Sequence, residues 1–224
     1  MVVQKKEILS EKIVNREIED KLNKELSEKR ITAIIGLRRV GKTTLLKLLI
    51  NKLLKNCNTI RICYFSFDLS EDIKPRELIK IYSEEILKEA YSEYKQKVYF
   101  FFDEIQKIKN WGNQIKSIKD RELKIKFIIT GSSSMNITKG AGESLAGRIN
   151  IHRLKPFSFK EYLRYKKIKT PDLSIENITY PENASKYRIH FNEYLKKGGL
   201  PELYNEFSAE NLKQILDLVF LEIL

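Results

Sequence analysis

Residues 36–43 read Gly36-Leu37-Arg38-Arg39-Val40-Gly41-Lys42-Thr43, and no other stretch of the chain limits its possible folds so tightly. The octet follows the apolar run Ile31-Thr32-Ala33-Ile34-Ile35 and precedes the helical pattern Thr44-Leu45-Leu46-Lys47-Leu48-Leu49-Ile50. A strand that ends in a glycine-bounded loop and restarts as a helix is the context in which G-x4-G-K-T cradles phosphate. Gly36 and Gly41 are expected to take backbone angles closed to other residues, which turns successive N–H groups toward one anion. A helix opening at Lys42 aims its positive dipole end at the same point. The Lys42 ammonium then reaches the β and γ phosphates, and the Thr43 hydroxyl is left to ligate Mg²⁺. The expected nucleotide-binding set is Gly36, Leu37, Arg38, Arg39, Val40, Gly41, Lys42, Thr43 and Thr44.

A chain of 224 residues can bury a full core, as one domain or as one domain with an appendage. Hydrophobic residues at 42% and charged residues at 32% fit a globular chain rather than a disordered one. No apolar run reaches membrane-spanning length, and Met1 to Glu7 lack the apolar stretch of a secretory signal, so a cytoplasmic location without a membrane partner is expected. The net charge of +12 attracts polyanions and makes nucleic acid a partner to consider. Lys and Glu interleave rather than forming a basic block, however, and solvated helix faces account for most of that charge. Cys57 and Cys63 suit neither a zinc knuckle nor a redox pair and read as buried thiols. His152 and His190 are too few and too scattered for a metal cage or an imidazole-based site.

Apolar positions Ile8, Ile13, Ile18, Leu22 and Leu26 predict helix within residues 5–29. Strands are expected over 59–69, 98–102, 125–130 and 149–154, and helices over 76–91 and 111–119, with Trp111 as a helix anchor. Strands alternating with helices at this rhythm imply right-handed crossovers and a mainly parallel sheet. Beyond Pro156 the pattern becomes helical, which places a boundary between a nucleotide-binding domain over 1–156 and a small helical subdomain over 157–224. The last helix ends on Ile223-Leu224 without a capping signal, so further polypeptide is expected to follow.

The third strand closes on Phe100-Phe101-Phe102-Asp103-Glu104. Asp103 is expected to hold Mg²⁺ beside Thr43, and Glu104 to polarise the water that attacks the γ phosphate. The fourth strand ends Thr130-Gly131-Ser132. Ligands of parallel sheets sit at the carboxyl ends of the strands, where Thr130 or Ser132 would sense the γ phosphate or the water; capping of the next turn is the competing role. Arg148, just ahead of the fifth strand, would reach the γ phosphate of a neighbouring copy in a homo-oligomer, or form a surface ion pair. Arg38 and Arg39 would contact nucleotide, the Asp103-Glu104 region or a partner, or point into solvent, with solvent as the default reading.

With these residues assembled, the chain resembles the archaeal and bacterial family of AAA-type ATPases. The resemblance rests on G-L-R-R-V-G-K-T-T-L-L at 36–46, F-F-D-E-I-Q-K-I-K-N-W at 101–111, I-T-G-S-S-S at 129–134, L-A-G-R at 145–148, L-K-P-F-S-F-K-E-Y-L at 154–163 and G-G-L-P-E at 198–202. It implies an α/β P-loop NTPase fold whose five strands run in the order 5-1-4-3-2, with flanking helices and a small C-terminal helical subdomain. It further implies ATP and Mg²⁺ as ligands. The resemblance also implies winged-helix and nuclease-like regions past G-G-x-P-E, and this sequence ends before them. Three functions are carried forward: an ATPase whose nucleotide state moves the segment after Pro156 and so controls an effector, a DNA-dependent ATPase, and a nucleotide-binding switch that seldom hydrolyses. GTP is disfavoured because no Asn-Lys-x-Asp motif occurs.

Overall fold

The computed structural model describes residues 13–69, 72–90, 92–121, 124–131, 145–169, 184–204, 208, 210 and 212–214. Five strands form one sheet: β1 (Ile31–Ile35), β2 (Ile62–Ser66), β3 (Val98–Asp103), β4 (Ile125–Gly131) and β5 (Ile149–Arg153). Their order is β2-β3-β4-β1-β5 and every pairing is parallel, which is the expected 5-1-4-3-2 order met from the other edge. Every residue of β1 and β4 is buried, as near-continuous apolar runs require when helices cover both faces. Register aligns the strand ends: Ile34 lies beside Thr130, Ile35 beside Gly131, and Phe102 beside Ile129. The loop after β1, Asp103 at the end of β3 with Glu104 just past it, and the hydroxyl near the end of β4 therefore share the carboxyl ends of the strands.

Among the described residues the bounded α-helices are α1 (Glu19–Glu25), α2 (Lys42–Leu53), α3 (Pro75–Ile81), α4 (Trp111–Lys119), α5 (Phe159–Tyr165) and α6 (Ala184–Lys197). α2 buries Leu45, Leu46, Leu49 and Ile50, one stripe at helical spacing, and Trp111 anchors α4 at 2% exposure. Two predicted helices differ from expectation. The stretch over 76–91 is α3 followed by a π-helical turn, Tyr82–Leu87, that ends at Lys88 with φ 54°. Ser83 Oγ donates to Ile79 O at 2.7 Å and also contacts the Tyr94 hydroxyl, and back-bonding of this kind competes with the regular ladder. In the N-terminal stretch the described helix is confined to Glu19–Glu25. Just ahead of it, Glu17 N donates to Glu161 Oε1 at 2.8 Å instead of joining a helical ladder. The second strand begins three residues later than expected, because Thr59–Arg61 forms a 3₁₀ turn capped by the Asn58 side chain.

Two compact units divide the described residues. The first contains 18–36 and 42–154, with a core in which Phe100, Phe102 and Phe127 meet at ring separations of 5.8–5.9 Å. All three rings are fully buried, each stabilising the fold by about 1.5–3 kcal/mol. The second contains 13–17, 37–41 and the chain from 155 onward. Its core is mostly aromatic: Phe157, Tyr162 and Tyr204 are buried with Leu163, and the rings of Tyr162 and Tyr204 have centroids 5.0 Å apart. Ser158 and Glu161 form a capping box that starts α5. A Cβ on Gly199 would lie 2.6 Å from Phe157 O, and Phe157 N donates to Gly199 O, so the K-P-F-S-F and G-G-L-P-E segments join where only glycine fits.

Candidate phosphate-binding site

The phosphate loop joins β1 to α2, and its left-handed positions are Arg39 (φ 65°) and Gly41 (φ 92°). Gly36 is not among the positive-φ residues, so the conformational need for glycine falls on the second glycine of the motif. Lys42 is 4% exposed and its Nζ donates to Gly36 O at 3.1 Å. Thr43 Oγ1 donates to Asp103 Oδ2 at 2.6 Å, which brings the loop and the acidic strand end together. Glu104 Oε1 lies 3.9 Å from Lys42 Nζ, with the Glu104 side chain 19% exposed. Thr44 is half-buried on the first turn of α2.

Thr130 is fully buried; its hydroxyl donates to Asp103 Oδ1 and accepts from Glu104 N at 3.1 Å. It thereby fastens both acids at once. Glu104 itself is left-handed, with φ 53° and ψ 43°. A non-glycine residue there costs on the order of 1–3 kcal/mol and persists only where its surroundings enforce it. The Thr130 hydrogen bond and the Gln106 side chain, which donates to Glu104 Oε2, supply that enforcement.

Other sequence-derived candidates fall elsewhere. Arg148 precedes β5 and its carbonyl accepts from Ile31 N, so it lies at the amino ends of the strands, opposite to Asp103 and Thr130. The strand length between those ends is about 17 Å for five residues, beyond the reach of an arginine toward its own chain's site. Its Nε donates to Asp120 Oδ1 at 2.8 Å, with both side chains about two-fifths exposed. Arg39 does not simply point into solvent, since it donates to Glu202 Oε1 at 3.0 Å, although both groups are exposed. Arg38 is exposed, Leu37 is half-buried, Val40 is buried, and Ser132 lies outside the described residues.

Sequence reasoning missed Tyr64, whose hydroxyl donates to Asp103 Oδ2 at 3.2 Å. Burial, and then the adjacent Asp103 charge, raise the Tyr64 pKa well above the ordinary phenol value, so it remains a donor. Alternation along β2 was the only available signal, and it cannot say which aromatic meets an acid across the sheet. Cys63 is buried, which pushes its thiol up to about 12, whereas Cys57 is half-buried and so departs from the expected pair of buried thiols. A cleft of about 1010 Å³ is lined by Lys74, Arg76, Lys80, Ser83, Glu84 and Gln114 among others, none of them a phosphate-site residue. Among the described residues no helix is long and apolar enough to cross a membrane.

The Thr43–Asp103 pair offers one hydroxyl and one carboxylate, all oxygen, a donor set that fits Mg²⁺ when phosphate oxygens and water complete the shell. Among the described residues there is no group of three or more His, Cys, Asp or Glu that would favour a metal held wholly by protein.

A family model described as an AAA domain matches residues 28–163. The uncharacterized protein MJ1544 of Methanocaldococcus jannaschii is 34% identical over 213 residues, which cover 93% of this chain and 44% of that protein. The chain thus spans less than half the length of that relative. The Walker-type ATPase PABY2304 of Pyrococcus abyssi aligns with a TM-score of 0.56 at 19% identity, covering 92% of this chain and 72% of that one. PCH-2 of C. elegans aligns with a TM-score of 0.56 at 14% identity, covering 96% and 70%. At those identities the two structures speak for the fold alone. The family match opens ahead of β1 and closes within α5, so it takes in the whole sheet, the phosphate loop and both acids: the chain belongs to the AAA domain family of P-loop ATPases.

Proposed function

We propose that the chain binds ATP with Mg²⁺ and hydrolyses it to ADP and phosphate. The observation that carries this reading is the 2.6 Å contact between Thr43 and Asp103, with Lys42 and Glu104 beside it. Thr43 and Asp103 would hold the ion, which when bound neutralises charge on the β and γ phosphates. Lys42 would exchange its present acceptor, Gly36 O, for phosphate oxygens. Glu104 would take the proton of the attacking water as its oxygen bonds to the γ phosphorus and the bond to the β-phosphate oxygen breaks. Thr130 and Tyr64 keep the Asp103 carboxylate in place, and Thr130 also fixes the Glu104 backbone. Ser132 is retained as a candidate sensor of the γ phosphate. Arg148 can act only on the site of another copy, so its proposed role requires a homo-oligomer.

In this reading the nucleotide state controls an effector, attached or separate, through the segment after Pro156. A second reading, supported by the net charge of +12, is that nucleic acid stimulates turnover. The test is steady-state ATP turnover by the wild type, Lys42→Ala and Glu104→Gln, with and without Mg²⁺ and duplex DNA. Magnesium-dependent turnover that both substitutions remove supports the enzyme. Equal rates in wild type and Lys42→Ala defeat it. Stimulation by DNA that fades steeply with salt supports the second reading, and its absence rejects that reading. ATP binding without turnover in the wild type leaves a nucleotide switch.

A further inference from the structure

Arg16 is 7% exposed and gives its guanidinium to three acceptors. Nε donates to Glu161 Oε1 at 2.9 Å, NH2 to Lys155 O at 2.7 Å, and NH1 to Val40 O at 2.9 Å. Its Cζ lies over the Phe157 ring, 4.8 Å from the centroid. Val40 O belongs to the phosphate loop, in the peptide unit that continues into Gly41 N. A trans peptide is planar, with its C=O and N–H pointing in opposite directions. Holding Val40 O toward Arg16 therefore points the Gly41 N–H the other way. Gly41 at φ 92° is free to let this peptide rotate, because it carries no side chain to oppose the rotation. Something outside the loop must set that orientation, and Arg16 is the group bonded to it.

We propose that Arg16 is a positioning residue for the phosphate loop: it locks the Val40–Gly41 peptide so that Gly41 N–H is presented to phosphate. It also ties that orientation to α5, because the Glu161 carboxylate that accepts from Arg16 closes the capping box of that helix. Lysine is no equivalent, since its three donors share one nitrogen, whereas the planar fork of arginine reaches three separated acceptors from three nitrogens. The exposed Arg39–Glu202 pair is too screened to hold the loop instead. This inference rests on the proposed nucleotide reading.

The experiment compares wild type, Arg16→Ala and Arg16→Lys. Melting temperature is measured for each, and affinity for ATP and for inorganic tripolyphosphate is measured well below the melting point. Because loss of a buried ion-pair partner also destabilises, Arg16→Lys carries the test if Arg16→Ala does not fold. The expected result is that Arg16→Lys weakens ATP and tripolyphosphate by the same factor, about tenfold, the loss of one charge-assisted hydrogen bond. The kcat should stay within about twofold, since the chemical groups are untouched. A folded Arg16→Lys protein with wild-type ATP affinity overturns the inference and leaves the nucleotide reading standing. Weakening confined to ATP, with tripolyphosphate unchanged, overturns the peptide route. A wild type that binds neither ligand defeats both.

Discussion

The two ends of the sheet hold nearly the same chemistry in different settings. At the amino ends, Lys126 is fully buried on β4 and donates to Arg30 O at 2.5 Å and to Thr32 Oγ1 at 2.9 Å. Thr32 in turn donates to Glu25 Oε2 at 2.9 Å, and Glu25 Oε1 lies 2.8 Å from Nε2 of His152, which comes from farther along β5, beside Ile34. At the carboxyl ends, Lys42, Thr43, Asp103, Thr130 and Glu104 repeat the same combination of lysine, threonine hydroxyls and carboxylates. The amino-end cluster is closed: Glu25, Thr32, Lys126 and His152 are each at most 7% exposed, and both Glu25 oxygens are occupied by donors. The carboxyl-end cluster reaches solvent through Glu104 at 19%, and its lysine sits on a backbone carbonyl that a ligand can displace. A buried lysine beside a carboxylate is therefore no mark of function by itself. What distinguishes the second cluster is its place, where strands stop and a loop can admit a ligand.

The largest expected effect separates the two lysines. Lys42→Ala should reduce ATP turnover on the order of 10³-fold, as removal of a transition-state contact does. Lys126→Met should leave turnover within about twofold, as steady-state rates will show. If Lys126→Met is as damaging as Lys42→Ala, the comparison fails. Next, Glu104→Gln should lower turnover on the order of 10²-fold, as loss of a general base does. ATP affinity by fluorescence titration should remain near wild type. Thr130→Val should cost about tenfold in turnover, by leaving Asp103 and the left-handed Glu104 less firmly held; rates and melting curves check this together.

The smaller effects concern pH. Burial lowers the Lys126 pKa to about 8 from the ordinary 10.5. A base whose folded pKa is depressed destabilises the fold fully below the folded value, and that cost fades as pH rises toward the unfolded one. The melting temperature of Lys126→Met relative to wild type should therefore fall as pH is raised from about 8 to about 10. In the second unit, burial would raise the Glu193 pKa, but hydrogen bonds from Tyr162, Lys166 and Lys197 overcome it and bring the value to about 2. A depressed carboxylate contributes stability above its unfolded pKa and loses it as pH falls through the folded one. Glu193→Gln should thus matter least near pH 2 and most above about 4.5, as acid unfolding curves of the two proteins will show.

The sheet was legible because burial on both faces leaves apolar runs such as Ile31–Ile35 and Ile125–Gly131, and because the phosphate motif needs a strand before it and a helix after it. Lys42 with Thr43, and Asp103 with Glu104, were legible because each pair belongs to a local pattern, a glycine-bounded loop in one case and the end of an apolar run in the other, although the two patterns lie 60 positions apart. Tyr64 and Arg16 were not. Tyr64 meets Asp103 across the sheet, 39 positions away, and Arg16 meets Glu161 145 positions away. Nothing in either residue's neighbourhood encodes such a partner. The π turn at Tyr82–Leu87 was hidden because apolar spacing alone does not register a serine bonding back to its own helix.

The central claim is that loop and acid act as one metal-dependent phosphate site. ATP affinity measured with and without Mg²⁺, in the wild type and in Asp103→Asn, tests it most directly. The account predicts that magnesium tightens ATP binding to the wild type by about tenfold or more, as two oxygen ligands and the phosphates share one ion. It also predicts that Asp103→Asn loses this gain while binding metal-free ATP as the wild type does. An equal magnesium gain in both proteins, or no ATP binding by the wild type, would contradict it.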